Sequence, residues 1–493
     1  MDRILAGIET EYGIAIEGRG AENQIDDATA LVRSYPGECF VSGWDYSIES
    51  PRSDLRGFKL ENLAFDPEDA KFDQGRSLPP SDEIRSDRVL KNGARFYNDH
   101  GHPEYATPET WGLDELVTHD KAGEAEVLKA AKAYSEKSGR SVQVYKNNTD
   151  FHGASYGTHE SYLVPRELGF ERLYQSVLPI LIARQILSGA GKVGSESGDW
   201  VPFQISQRAD FFVEPANAET LYRRPIFNTR DEPHADPRKW IRLHVISGDA
   251  NMNTASTRMK LGLVKLAVML EVAQEAPKFR FVDPVKAFKQ ISRGLDKDVP
   301  VDLEGGSWTT AKVILESYLE TAERVFDLDP EMTAFVDECH SLLAHFPHNL
   351  RTFGESVDWA AKYCLLNDYR EDEGLDWRNP MMQSLDLAYC NIDPEESLFY
   401  GLVDSGMTVP QPTEYDLEVR RTTVCEPSRA FARSAAVTNL SDQLQRVSWS
   451  TIQFKSGKEV HLPPDKMYGE AFADVESEEE FTELIQGLEN DQL

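Results

Sequence analysis

Residues 92–107 read NGARFYNDHGHPEYAT, where a cation, a phenol, two carboxylates and two histidines fall within ten residues. Alternate side chains of a β-strand point to the same side, so Arg95, Tyr97 and Asp99 share one face. A turn containing Gly and Pro then brings Glu104 back beside them. Such a face fits either a solvated strand end or a binding site for a metal-bound nucleotide, with Arg95 on the phosphates.

A second set of acidic side chains lies near the start of the chain. Residues 7–13 read GIETEYG, and the same alternation places Glu9 and Glu11 on one face of a strand. Neighbouring carboxylates repel each other, so this pair requires either an exposed edge or a divalent cation held through oxygen ligands. If this face meets the first one, the acidic groups supply metal ligands and Asp99 remains as a general base or a nucleophile.

Polar segments later in the chain also carry histidine, carboxylate and arginine side chains that could bind a ligand. Residues 146–160 place small residues beside a His-Glu pair, where backbone could approach a ligand, although such a pair is more often a surface hydrogen bond. Arg230, in the loop 228–236, is a candidate clamp for phosphate or carboxylate, or else the cation of a salt-bridged loop. Two more polar sets lie on predicted strands, namely residues 206–208, and Arg242 with His244.

The composition argues against a nucleic-acid-binding or membrane protein. The chain has 493 residues, of which 84 are Asp or Glu and 52 are Lys or Arg, and its formal net charge is −32. Such a charge repels nucleic acid phosphates and anionic membrane surfaces. The five cysteines are scattered without metal-binding spacing, and no apolar run reaches the roughly 18 residues of a membrane span. We therefore expect a cytoplasmic protein that binds neither nucleic acid nor membrane.

Periodicity predicts an α+β protein with a strand-rich first half and a helix-rich second half. The predicted strands are residues 3–17, 95–106, 143–145, 161–164, 202–213 and 242–246. The predicted helices are residues 113–138, with the spacing of an exposed helix, 170–187 and 256–276, followed by a helical layer from 311 to 370. Residues 34–90 are rich in Pro, Gly, Asp and Ser and form a loop-rich insert.

A domain boundary is predicted at the Pro-containing stretch 409–413. The large domain then comprises residues 1–410, including the insert. Residues 411–493 form a small C-terminal domain, in which 447–454 and 459–462 have the pattern of a hairpin joined through Ser-Gly.

The ordered set of motifs resembles the Pup ligase and Pup deamidase/depupylase family of glutamine-synthetase-like carboxylate-amine ligases. The matching segments are residues 7–13, 92–107, 146–162, 206–210, 228–236 and 242–251, with weaker similarity at 385–392 and Trp449. The resemblance implies a large glutamine-synthetase-like domain with a curved, mainly antiparallel sheet packed by helices. It also implies that the concave face of this sheet holds ATP and Mg2+.

Roles for individual residues follow from the same resemblance. The metal ligands it implies are Glu9, Tyr97 and Glu104. The nucleotide contacts it implies are Arg95, Thr107 and Trp449, to which we add Arg230 as the clamp candidate. Asp99 corresponds to the family's catalytic aspartate, and both direct attack on a carbonyl and activation of a water molecule fit it.

The family has two branches that catalyse opposite reactions. The ligase uses ATP to join the C-terminal Glu of the modifier Pup to a substrate lysine. The other branch hydrolyses that isopeptide bond and deamidates a C-terminal Gln of Pup. The insert, in which residues 44–58 read WDYSIESPRSDLRGF, is typical of the hydrolytic branch. We therefore expect a deamidase and depupylase whose partners are Pup, or a relative of Pup, and pupylated proteins; the Pup–protein ligase is the alternative.

Two hypotheses from other classes are also considered. A small-molecule ligase similar to glutamate-cysteine ligase would share the acidic sheet face, but it would not be expected to carry the segment 44–58. A protein that only binds Pup or nucleotide would not need the catalytic set. Because Glu9, Asp99 and Glu104 are all present, the sequence favours an enzyme.

Overall fold

The computed structural model of the chain describes residues 4–41, 44, 52–61, 83, 85–151, 153–424 and 426–490. Its strands are β1 (Ala6–Glu11), β2 (Gly13–Ile16), β3 (Cys39–Val41), β4 (Arg88–Leu90), β5 (Arg95–Asp99), β6 (His102–Ala106), β7 (Val142–Tyr145), β8 (Thr158–Pro165), β9 (Lys192–Val193), β10 (Phe203–Gln204), β11 (Glu214–Asn217), β12 (Pro225–Asn228), β13 (Trp240–Val245), β14 (Val301–Asp302), β15 (Trp308–Thr309), β16 (Leu444–Val447), β17 (Thr451–Phe454) and β18 (Glu459–His461).

The α-helices of the described residues are α1 (Gln24–Arg33), α2 (Leu113–Ser138), α3 (Gly169–Ala183), α4 (Gln185–Ser188), α5 (Thr254–Val272), α6 (Pro284–Ser292), α7 (Ala311–Val325), α8 (Pro330–His345), α9 (Leu350–Gly354), α10 (Asp358–Asp372), α11 (Pro380–Tyr389), α12 (Leu398–Asp404), α13 (Glu414–Thr422), α14 (Arg429–Asn439) and α15 (Glu478–Asn490). Strands dominate the first half and helices the second, so the predicted α+β class is confirmed. Within the described ranges, no helix is both long and apolar enough to cross a bilayer.

Seven strands form one antiparallel sheet in the order β13-β8-β1-β6-β5-β4-β3. Burial alternates along β1, so Ile8 faces the core whereas Glu9 and Glu11 lie on the opposite, partly buried face. Strand β6 pairs with both β1 and β5, which places Glu104 opposite Glu11 on one side and opposite Tyr97 on the other. The predicted turn that brings Glu104 back beside Tyr97 is therefore confirmed. The carboxylates of Glu9, Glu11, Asp99 and Glu104 share one face of the sheet.

Helices pack against the core face of this sheet. Helix α5 is buried over most of its length, because most of its sides are apolar. Asn253 caps its N-terminus and accepts a hydrogen bond of 3.0 Å from the Ala255 backbone N–H. Residues from β1, β8, α5 and α7, such as Ile8, Val164 and Leu315, belong to one apolar cluster. The sheet and the helical layer thus share a single core.

Helix α2 has the predicted bounds but not the predicted exposure. Much of it is buried, including Asp120, Lys121 and Glu124. These charges pair with one another and with Lys146, whose Nζ lies 2.7 Å from Asp120 and 3.4 Å from Glu124. Asp120 also accepts a hydrogen bond of 3.2 Å from Thr10 of β1. The expectation of an exposed helix is wrong, because paired charges can be buried where unpaired ones cannot.

Two other elements are shorter than predicted. The strand predicted over residues 202–213 is reduced to β10, and beyond it Ser206 donates a hydrogen bond of 2.8 Å to Asp249 instead of joining a strand ladder. The helix predicted over residues 170–187 is divided into α3 and α4 at Arg184. At Ser206 a side-chain hydrogen bond replaces the regular backbone pattern. At Arg184 helical backbone hydrogen bonds continue, such as that of 3.0 Å from the Ser188 N–H to the Arg184 carbonyl.

The C-terminal part contains the sheet β16-β17-β18 with helices α14 and α15. The predicted hairpin joins β17 to β18 through Gly457, whose φ of +92° favours glycine. The apolar core of this part also includes Phe40 and Trp44 from the insert. Helix α13 lies instead against α2, where Arg421 Nε is 3.2 Å from Glu126. The domain boundary stays a prediction, and contacts cross it in both directions.

The buried charges beneath the sheet lead to a stability prediction. Replacing Lys146 by Met leaves Asp120 and Glu124 buried with less positive charge, so the free energy of unfolding should fall by about 3–5 kcal/mol. Urea denaturation followed by circular dichroism measures this change. The matched control is Lys129→Met, because Lys129 is exposed beside Glu126 and should cost under about 1 kcal/mol. Equal effects of the two substitutions would contradict the interpretation.

Candidate metal and nucleotide site

One face of the large sheet gathers acidic side chains from three strands. Glu11, Asp99 and Glu104 come from β1, β5 and β6, and one oxygen of each lies within 4.8 Å of the others. Glu104 is buried, whereas the other two are partly buried. Like charges at this distance repel one another, and the repulsion grows as water is excluded. A hard divalent cation bound among these oxygens would neutralise them.

Glu104 is directly linked to Tyr97, whose hydroxyl donates a hydrogen bond of 2.5 Å to Glu104 Oε1. Burial, followed by the charges of Asp99, Glu9 and Glu11, raises the pKa of Glu104 well above its ordinary value. Burial and the charge of Glu104 also raise the pKa of Tyr97. Burial therefore favours the protonated form of each group. A cation bound at Glu104 would favour the carboxylate form instead.

A second possible ligand set lies on the neighbouring strands. Glu9, His159 and His244 of β1, β8 and β13 each offer one ligand atom within 4.8 Å of the others. Burial and the charge of Arg242 lower the pKa of His244 well below its ordinary value, so the ring stays neutral. Neither ring nitrogen of His244 has a hydrogen-bond partner within the described part of the chain. A buried, neutral and unsatisfied imidazole beside a carboxylate fits a metal ligand.

The charge of Glu9 is stabilised by its neighbours. Burial acts to raise the pKa of Glu9, but the nearby His159 and the charge of Arg242 outweigh it, so the pKa lies below its ordinary value. Arg242 Nη1 is 3.6 Å from Glu9 Oε1, and His159 Nδ1 is 3.8 Å from Glu9 Oε2. Glu9 is therefore anionic at neutral pH and a candidate metal ligand.

The metal ligands implied by the family resemblance are thus divided between two sets. Glu104 lies in the first set and Glu9 in the second, while the Tyr97 hydroxyl is engaged by Glu104. The sequence alone does not identify His159 and His244 as ligands. Only the strand register reveals them, because it places His159 directly opposite Glu9.

A pocket adjoins Glu9 beside the sheet. Apolar side chains such as Leu163 line it together with Thr107, Arg242 and Trp449. Thr107 Oγ1 accepts a hydrogen bond of 3.1 Å from the Ile8 backbone N–H, which fixes this threonine where β6 ends. Apolar walls suit a base, and Arg242 at the Glu9 end suits a phosphate. Two of the predicted nucleotide contacts, Thr107 and Trp449, therefore lie in one pocket.

The other two predicted nucleotide contacts, Arg95 and Arg230, do not line this pocket. Arg95 is buried and lies 2.6 Å from Asp87, with its guanidinium 4.2 Å from the centre of the Trp44 ring. Arg230 lies 3.8 Å from Glu232. Neighbouring side chains thus contact the guanidinium groups of both arginines. The contact of Arg95 and Arg230 with a nucleotide stays a prediction.

Comparison with known proteins identifies the family of this chain. The sequence pattern of the Pup-ligase protein family matches residues 3–453. The chain belongs to the Pup-ligase family. Within this family, the depupylase of Acidothermus cellulolyticus is 36% identical over 471 residues, which cover 92% of this chain and 91% of the relative. The Pup deamidase/depupylase of Mycolicibacterium smegmatis is 34% identical over 469 residues, with 93% and 92% covered. The Pup–protein ligase of Kineococcus radiotolerans is 35% identical over 421 residues, 83% of each chain.

Two solved structures of Pup-ligase family members have a similar fold. The complex of the prokaryotic ubiquitin-like protein Pup with its ligase PafA gives a TM-score of 0.76 at 27% identity, covering 99% of this chain and 93% of that one. The Pup ligase PafA in complex with ADP gives 0.72 at 28% identity, covering 88% and 97%. Both likenesses confirm the predicted fold with its large antiparallel sheet.

This member of the Pup-ligase family also contains a buried arginine with unsatisfied N–H groups among the described residues. Arg208 is 1% exposed, and its Nε and Nη1 have no hydrogen-bond partner among the described residues. Burial and the charge of Arg224 lower the pKa of Arg208 to about 9, so the guanidinium is still charged at neutral pH. The charges of Glu11, from the first carboxylate set, and Asp249 favour the charged form, and the guanidinium lies 5.4 Å from the centre of the Phe212 ring. A buried guanidinium with two unsatisfied N–H groups fits an anionic group of a ligand.

The first carboxylate set leads to a prediction about divalent cations. Glu104→Gln removes the charge at constant size and keeps an oxygen that can accept the hydrogen bond from Tyr97, so it should change the unfolding temperature little. Mg2+ or Mn2+ at about 100 times Kd should stabilise the wild type by about 2.7 kcal/mol. The variant should lose most of this gain, which thermal unfolding with and without the cation measures. Glu17→Gln, an exposed control, should keep it. An undiminished gain in Glu104→Gln would contradict the assignment.

Proposed function

We propose that this chain is an ATP- and Mg2+-dependent hydrolase that deamidates the C-terminal Gln of Pup and cleaves the isopeptide bond between Pup and substrate lysines. The observation that carries this proposal is that four relatives are named depupylase or Pup deamidase/depupylase and are 34–36% identical over 92–93% of the chain. Pup–protein ligases match at 32–35% identity over 83–90% of the chain. Trp44 and Arg56 to Phe58 of the insert agree with the hydrolytic branch, while residues 45–51 lie outside the described residues.

The ligase reaction is the second candidate. It is favoured by the two solved neighbours, which are Pup ligases and match up to 99% of this chain. Both candidates use the same modifier, so Pup, or a close relative of it, is the proposed partner in either case. A cytoplasmic location is part of the proposal, and the unpaired state of the described cysteines Cys39, Cys339, Cys364 and Cys390 supports it.

The carboxylates and the pocket suggest how the site would act. Glu11 and Glu104 would hold one Mg2+ and Glu9, His159 and His244 a second, so that bound ions polarise the oxygens they contact. The pocket at Thr107 and Trp449 would hold the nucleotide base and ribose, with Arg242 toward the phosphates.

Asp99 is the proposed catalytic residue. Its side chain is 20% exposed, so a substrate carbonyl can reach it, and Arg85 Nη1 and His100 Nε2 each lie 3.9 Å from its carboxylate oxygens. Either of two roles fits this position. As a nucleophile, Asp99 attacks the carbonyl carbon, the C–N bond breaks to release ammonia or the lysine amine, and water then hydrolyses the resulting anhydride. As a general base, Asp99 takes a proton from the water molecule that attacks, and the same C–N bond breaks.

Arg208 is the proposed anchor for an anionic group of the substrate. Replacing Arg208 by Gln removes an unpaired buried charge, so the substrate-free protein should become more stable. The KM for Pup should rise about 10- to 100-fold, because a charge-assisted contact is lost. Steady-state kinetics and thermal unfolding measure both effects. The control Arg238→Gln removes an exposed arginine paired only with Asp236 and should change neither. A destabilised variant with an unchanged KM would contradict the role.

The proposed reaction is tested by mass spectrometry of three mixtures with Mg-ATP. These mixtures contain Pup ending in Gln, a Pup–lysine conjugate, and Pup ending in Glu with an acceptor protein. We expect a mass change of the first and cleavage of the second, and Asp99→Asn should slow both by about 10²–10⁴-fold. Conjugation in the third mixture with ATP consumption would instead identify the ligase. Activity that survives in Asp99→Asn would remove Asp99 from the chemistry.

A further inference from the structure

The carboxylate of Glu109 holds two arginines of the C-terminal part. Glu109 follows β6 and is buried, and its oxygens lie 2.5 Å from Arg429 Nε and 2.5 Å from Arg433 Nη2. Both arginines belong to α14 and are buried as well. Burial opposes the charge of Glu109, but Arg433 and Arg429 lower its pKa to about 2. The three side chains form one charged unit that joins the sheet to α14.

Each of the two arginines contacts a wall of the nucleotide pocket. Arg433 Nη1 donates a hydrogen bond of 3.2 Å to the Trp449 carbonyl, and its guanidinium stacks 4.8 Å from the centre of the Trp449 ring. Arg429 Nη1 donates a hydrogen bond of 2.7 Å to the carbonyl of His234. Trp449 and His234 both line the pocket, together with Glu109 and Arg429 themselves.

The backbone conformation of His234 requires stabilising contacts such as the hydrogen bond from Arg429. Its φ is +46°, a left-handed conformation that is uncommon for a residue with a Cβ. Such conformations persist where surrounding contacts over-determine them. The hydrogen bond from Arg429 to the His234 carbonyl is one of those contacts, and it depends on the orientation that Glu109 gives to Arg429.

We propose that Glu109 is a positioning residue for nucleotide binding, which holds Arg433 against Trp449 and Arg429 against His234 and so sets both walls of the pocket. This inference rests on the proposed nucleotide binding. A carboxylate that only attached the C-terminal part would not affect nucleotide binding. Glu426 serves as the comparison for such a role. That carboxylate also joins the C-terminal part to the segment after β6, through the Gly112 backbone N–H at 2.9 Å, but it does not line the pocket.

The test compares four variants of the full chain with the wild type. Glu109→Gln removes the charge at constant size, and Glu109→Asp keeps the charge with a shorter reach. Arg433→Lys keeps the positive charge beside Glu109 but loses the planar stack on Trp449. Glu426→Gln removes the other carboxylate. Isothermal titration calorimetry with ADP and Mg2+ gives Kd, kinetics separates KM for ATP from kcat, and thermal unfolding reports folding.

We expect Glu109→Gln and Arg433→Lys each to raise Kd for ADP about tenfold, the loss expected when a charge-assisted contact no longer orients a binding group. The change should appear in KM for ATP more than in kcat, and Glu109→Asp should recover part of the affinity. Glu426→Gln should lower the unfolding temperature and leave Kd within about twofold of the wild type.

The inference is overturned if Arg433→Lys and a folded Glu109 variant bind ADP as the wild type does. It is also overturned if Glu426→Gln weakens binding as much as Glu109→Gln, because the carboxylate would then act only in domain attachment. If Glu109→Gln does not fold, Arg433→Lys and Glu109→Asp decide the question. A wild type that fails to bind ADP would instead overturn the proposed nucleotide binding, and this inference with it.

Discussion

Four carboxylates crowd one face of a single sheet, and much of the structure serves to hold them there. Glu9, Glu11, Asp99 and Glu104 come from three adjacent strands, so their separation is set by the sheet rather than by flexible loops. Repulsion among them opposes folding in the absence of a cation. The protein limits this cost by burying Glu104, which raises the pKa of that carboxyl, and by placing Arg242 beside Glu9. What remains is a site that a divalent cation would stabilise.

Charged side chains are arranged differently on the two faces of the sheet. Beneath it, Asp120 and Lys146 are 2.7 Å apart, and Glu124 lies close to the same ammonium, so the buried charges compensate one another. On the other face, like charges stand together. The Nε and Nη1 of the buried Arg208 have no hydrogen-bond partner among the described residues. Charges that are paired stabilise a fold, whereas charges left unpaired at a buried position commonly belong to a functional site.

The proposed nucleotide pocket is assembled from distant parts of the chain. Trp44 of the insert lies with its ring centre 5.0 Å from that of Trp449 and 4.2 Å from the Arg95 guanidinium. On the other side, Glu109 joins Arg433 to the same Trp449. The sheet, the insert and the C-terminal part therefore meet around one aromatic ring. The predicted domain boundary near residue 410 separates segments of sequence that share these contacts.

The sequence by itself determined the α+β class, the turn after Asp99, the shared strand face of Glu9 and Glu11, and that of Tyr97 and Asp99. These features depend on the two-residue period of a strand and on a turn of a few residues, which are local properties. The pairing of β1 with β6 decided that the two faces meet. Family resemblance added Thr107 and Trp449, which the structure brings into one pocket. Only the tertiary structure decided that His159 and His244 join Glu9, that α2 is buried, and that Glu109 meets two arginines of α14. Strand register and the pairing of charges far apart in the chain decide those points, and no local pattern encodes either.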